Sequence, residues 1–65
     1  MKLLVNGTPY DCECSSLAAL LETLGYGAAQ VATAVDGEFV PRERRAEQPL
    51  REGMRIDIVA PIQGG

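Results

Sequence analysis

Leu17, Leu20, Leu21 and Leu24 recur at i, i+3, i+4 and i+7. That spacing draws one apolar face along an amphipathic helix. Ser15-Ser16 just ahead offers an N-cap. Gly25 just behind stands where helices commonly stop in the left-handed conformation. Burying each of these leucines is worth roughly 1.5–3 kcal/mol, and the sum is comparable with the whole net stability of a small domain. The helix must therefore dock. In a chain of 65 residues, one domain at most, the only other large surface on offer is a sheet.

The flanking segments supply that sheet. Met1 to Asn6 reads as a strand with Leu3 and Val5 on one face. Asn6-Gly7 is a hairpin signal, because both central residues of a type I′ turn need positive φ. Thr8 to Glu13 returns as a second strand, placed at an edge because Pro9 cannot donate to a ladder. After the helix, Tyr26 to Gln30 is a glycine-flanked connection and Val31 to Val35 a β-branched strand. The small residues Ala32 and Ala34 on its alternate face are expected to let the helix approach closely. Asp36-Gly37 repeats the hairpin signal, Glu38-Phe39-Val40 is a short strand, and Pro41 ends it. Arg42 to Pro49 reads as polar and irregular, with Leu50 plugging the core from a loop. Glu52-Gly53 turns the chain into Met54–Val59, where Met54, Ile56 and Ile58 alternate with Arg55 and Asp57.

The order is strand, strand, helix, strand, short strand, strand. It predicts an α+β domain over residues 1–60, a mixed sheet of four to five strands with one main helix packed across one face. The first and last strands are both rich in aliphatics and are expected to be the central pair, parallel or mixed. This is the ubiquitin-like β-grasp layout. Residues 61–65 are left over as a flexible C-terminal Gly-Gly tail.

Composition removes whole classes of function. The chain has no His, which takes away imidazole catalysis and most zinc sites. Its 2 Cys fall short of the four thiolates of an iron–sulfur cluster. A net charge of -3 with three aromatics argues against nucleic-acid binding. No apolar run approaches the ~20 residues of a membrane span. The opening apolar run stops at Asn6-Gly7, short of a signal peptide, so a cytoplasmic location is expected. Cys12 and Cys14 flank Glu13 and are expected to be reduced thiols near a strand edge, since a bridge between them would strain the backbone. A redox or metal pair is the sharper alternative. No nucleophile–base pair can be assembled, so the chain does not read as an enzyme, and no cofactor is expected on it.

Chemistry can still live at Gly64-Gly65. Residues without Cβ atoms enter narrow clefts, and Pro61 to Gly65 extended would reach roughly 16 Å. A carboxylate is a poor electrophile. Joined to AMP by a partner, it becomes a good one that a thiol or sulfide can attack. The partner then supplies ATP, metal and electrostatic stabilisation.

Val31-Ala32-Thr33-Ala34-Val35, Val40-Pro41-Arg42, Leu50, Gly53, Ile56 and the closing Gly64-Gly65 together resemble the ThiS family, the sulfur carrier proteins of thiamin biosynthesis. The resemblance covers essentially the whole chain, with Val-Pro-Arg and the Gly-Gly end its most specific parts. It implies that Gly65 is adenylated by an E1-like adenylyltransferase (ThiF-like), which uses ATP and Mg. Gly65 is then converted to a thiocarboxylate, with Gly64 as its slim neighbour. The sulfur comes from a donor such as a cysteine desulfurase and passes to a thiazole synthase (ThiG-like). Ile62 and Gln63 on the tail are expected partner contacts. Arg42 is a third, since it matches the family's Val-Pro-Arg; its cluster with Arg44 and Arg45 otherwise reads as a solvated loop. Two alternatives stay open: a MoaD-like carrier for molybdopterin synthesis, and a ubiquitin-like modifier or interaction module.

Overall fold

Asn6 and Gly7 both adopt positive φ, 52° and 81°, and so do Asp36 and Gly37 at 50° and 87°. Those values are the geometry that the right-handed twist of paired strands demands of a two-residue turn. The computed structural model describes residues 1–26 and 30–60. Around the first turn, β1 (Lys2–Val5) pairs antiparallel with β2 (Thr8–Asp11). Around the second, β3 (Ala32–Val35) pairs antiparallel with β4 (Glu38–Val40).

The last strand, β5 (Arg55–Val59), joins the two hairpins. It runs parallel to β1, with Leu4 beside Arg55 and Val5 beside Ile56. On its other side it runs antiparallel to β3, from Val35 beside Ile56 to Ala32 beside Val59. The sheet order is β2-β1-β5-β3-β4. First and last strands are neighbours, as expected, and of the two arrangements left open they take the parallel one; Pro9 lies on the edge strand β2.

α1 (Leu17–Thr23) begins where Ser16 caps it, its side chain accepting the N–H of Ala19 at 3.2 Å. Leu17, Leu20 and Leu21 are buried among Leu3, Val35, Val40, Leu50, Ile56 and Ile58, and Leu24 is packed against that core. Leu50 does plug the core from a loop, as expected.

Two expectations need correction. Arg42 to Pro49 is not irregular throughout: Arg42–Glu47 form a 3-10 helix packed beside α1. And Ala32 and Ala34 do not receive the helix. Thr33 and Val35 point into the core, while Ala32 is exposed and Ala34 half-buried on the opposite face. Thr33 is tolerated at 1% exposure because its hydroxyl donates to the Val40 carbonyl at 2.8 Å. The tail expected over 61–65 lies outside the described residues.

Candidate functional site

The site begins at the end of β5, where the strand leads toward the Gly-Gly segment. Three elements converge there. The Asn6-Gly7 turn lies on one flank. The Asn6 N–H donates to the Ile56 carbonyl at 2.9 Å, and the Asn6 carboxamide oxygen accepts the Ile58 N–H at 2.8 Å. That side chain continues the β1·β5 ladder after the backbone of β1 has turned away. The start of β3 forms the other flank, with Ala32 opposite Val59.

The start of β3 is itself tied down by Arg45. Its guanidinium donates to the Val31 carbonyl at 2.5 Å and to the Thr33 hydroxyl at 3.2 Å. A guanidinium presents several donors in a fixed fork, so one side chain can hold two acceptors of a strand end. Arg45 had read as part of a solvated basic loop; instead it is half-buried and structural.

Of the residues proposed as functional, Gly64, Gly65, Ile62 and Gln63 lie outside the described residues. Arg42 is exposed at the first position of the 3-10 helix, two residues beyond Val40. Val40 pairs with Thr33, so Arg42 stands at the same end of the sheet as Val59. It lines a hollow with Ala18, Leu21, Glu22 and Arg45, which puts it on the helix side.

Among the described residues, no element covers the face of the sheet away from α1. Strand register places Leu4, Arg55, Asp57, Val59, Ala32, Ala34 and Phe39 on it. Phe39 is 69% exposed, Val59 62% and Leu4 37%. Ala32 and Ala34 lie between Phe39 and Val59, and Arg55 and Asp57 lie on the Leu4 side. The ion pair between Arg55 and Asp57, at 4.0 Å and largely solvated, adds little to stability. Phe39 and Val59 are thus the large apolar side chains that this face exposes most, candidates for contact with a partner. Sequence reasoning did not single out Phe39 or Val59. The signal was present: with Val40, Ile56 and Ile58 facing inward, alternation sends both outward.

Cys12 and Cys14 are both free. Burial pushes the Cys12 thiol up from its ordinary pKa. At the amino end, the hydrogen bond to Asp11 at 3.2 Å raises the pKa of the Met1 amine. Among the described residues no three of His, Cys, Asp and Glu gather as a metal-holding group. No helix among them is long and apolar enough to cross a membrane.

Comparison with known proteins agrees with this architecture. The family model described as the ThiS family matches residues 3–65. A solved structure, the thiamine biosynthesis protein (ThiS) from Geobacter metallireducens, superposes with a TM-score of 0.83. It is 28% identical, and the match covers 100% of both chains. A curated relative, a thiazole synthase of Paramagnetospirillum magneticum (strain ATCC 700264 / AMB-1), is 36% identical over 66 residues. That match takes in 100% of this chain but spans only 20% of the relative's length.

Proposed function

Because this chain belongs to the ThiS family, we propose that it is a sulfur carrier of thiamin biosynthesis, loaded and unloaded at the carboxyl group of Gly65. The observation that carries this reading is the extent of the family match. It runs through the β-grasp body and on to residue 65, taking in Gly64-Gly65.

The chemistry follows from what the chain lacks. It has no His, and among the described residues no nucleophile and base are assembled, so activation is assigned to partners. An E1-like adenylyltransferase, with ATP and Mg, joins the Gly65 carboxylate to AMP and releases pyrophosphate. The terminal sulfur of a persulfide, supplied by a donor such as a cysteine desulfurase, attacks the carbonyl, and AMP leaves. Thiols then reduce the resulting acyl disulfide, and a thiocarboxylate remains. A thiazole synthase then takes that sulfur. The body's contribution is placement. β5 is gripped by Asn6 on one side and by Ala32 on the other, so the end to be processed departs from a fixed origin. The open face with Phe39 and Val59 adjoins that origin and is the surface we assign to the adenylating partner.

Delivery to thiazole rather than to molybdopterin is supported by the two relatives. One is named a thiamine biosynthesis protein and the other a thiazole synthase that contains a segment like this chain. We place the carrier in the cytoplasm with these partners.

The test is intact-mass spectrometry after incubation with a ThiF-like adenylyltransferase, ATP, Mg and a sulfur source. The expected product is heavier by the difference between one sulfur and one oxygen. Deleting Gly65, or replacing Gly64 with Trp, is expected to abolish the gain while circular dichroism stays unchanged. An unaltered wild-type mass would overturn the reading.

A further inference from the structure

Cys12 and Cys14 are the only thiols of the chain, and the sulfur chemistry proposed above uses neither. Beyond the end of β2 the backbone brings them into one unit. The N–H of Cys14 donates to Sγ of Cys12 at 3.5 Å. Sγ of Cys14 lies 3.6 Å from Oγ1 of Thr23 on α1. That hydroxyl already gives its proton to the Ala19 carbonyl at 3.0 Å, so it accepts from the Cys14 thiol. Both cysteines line one shallow hollow, together with Tyr10, Asp11, Glu13 and Thr23.

Ligand chemistry narrows what such a pair can hold. Calcium and magnesium need several oxygens, and a structural zinc site needs four ligands. Two thiols alone match neither. Soft thiolates select soft cations, copper(I) foremost, and copper(I) is content with two sulfurs. We propose that Cys12 and Cys14 form a two-thiolate chelate for a soft monovalent cation of the copper(I) class. On binding, each thiol loses its proton to solvent, two sulfur–metal bonds form, and no electrons are exchanged. The complex carries one net negative charge. The Cys14 N–H, aimed at Cys12 Sγ, remains as a donor to that sulfur. The exposed Glu13 between the two thiols draws the cation in, whereas the Asp11 carboxylate is already held by the Met1 amine.

The experiment is an anaerobic titration of reduced, desalted protein into the copper(I) complex of bicinchoninate. The expected result is one ion withdrawn per chain. Cys14→Ser, at a half-buried position outside the sheet, is expected to fold as the wild type does by circular dichroism. It is expected to bind copper(I) roughly 100-fold more weakly, because the second ligand's effective concentration is gone. Cys12→Ser is expected to lose as much. Wild-type protein that leaves the ion with bicinchoninate would overturn the proposal. So would a folded Cys14→Ser protein with undiminished affinity, or half an ion per chain, which would mean a chelate between two molecules.

Discussion

The carboxamide oxygen of Asn6 accepts the backbone N–H of Ile58 at 2.8 Å, across 52 positions of sequence. One side chain thus serves two purposes: its backbone makes the first hairpin turn, and its amide extends the central ladder toward the Gly-Gly end. Asn6→Gly separates them, because glycine keeps the positive φ and deletes the amide. It is expected to cost about 0.5–1.5 kcal/mol in urea denaturation, the worth of one hydrogen bond. Asn6→Ala adds the left-handed penalty of roughly 1–2 kcal/mol and is expected to be the worse of the pair.

Arg45 and Arg44 are neighbours with opposite roles. Arg45→Ala removes two donors and leaves the Val31 carbonyl without its guanidinium partner. The expected loss is about 1.5–3 kcal/mol, the range for hydrogen bonds to a charged group. Arg44→Ala, at an exposed position, is expected to stay within about 0.5 kcal/mol of wild type. Arg45→Lys should recover little, since an ammonium cannot reproduce the planar fork. Equilibrium unfolding of the three variants checks the ordering.

Phe39 and Val59 are exposed and contribute little to the core. Phe39→Asp and Val59→Asp are therefore expected to change the unfolding midpoint slightly. Their affinity for the proposed adenylating partner is expected to fall roughly 10-fold or more, as for apolar anchors at an interface centre. Calorimetric titration of the partner reads the effect. Variants that bind normally would place the docking surface elsewhere.

Burial raises the pKa of the Cys12 thiol in the folded state. The fold therefore keeps this proton at a pH where the unfolded chain has lost it. The stability so gained is complete below the unfolded thiol's pKa of about 8.5, and it drains away as pH climbs from there to the folded value. The Met1 amine, raised by Asp11, pulls in the same direction. Cys12→Ala isolates the thiol: the alkaline decline in unfolding free energy is expected to be steeper in wild type than in the variant.

Features set by neighbours in sequence were legible from residues alone. The leucine stripe, the Ser16 cap and both positive-φ turns depend on contacts a few positions apart, and each lies where expected. That the first and last strands are neighbours followed from their aliphatic content. The 3-10 helix over Arg42–Glu47 was not legible, because its sequence shows no apolar stripe. Its order comes from packing beside α1 and from Arg45 reaching back to β3. Ala32 and Ala34 mark a face by alternation, but alternation cannot say which face receives the helix. That choice was made by Thr33, whose hydroxyl finds the Val40 carbonyl and can enter the core. For the site, the Gly-Gly end was conspicuous because it is unusual chemistry. Phe39 and Val59 were not, since an exposed apolar residue means nothing until its neighbours on the same face are known.

β5 lies mid-sheet, bonded to β1 in parallel and to β3 in antiparallel fashion. A tug beyond Ala60 directed along the strand axis therefore loads both ladders in shear, and their hydrogen bonds must fail together rather than peel one at a time. A handle so mounted can be hauled on by one machine after another while the body behind it keeps its shape.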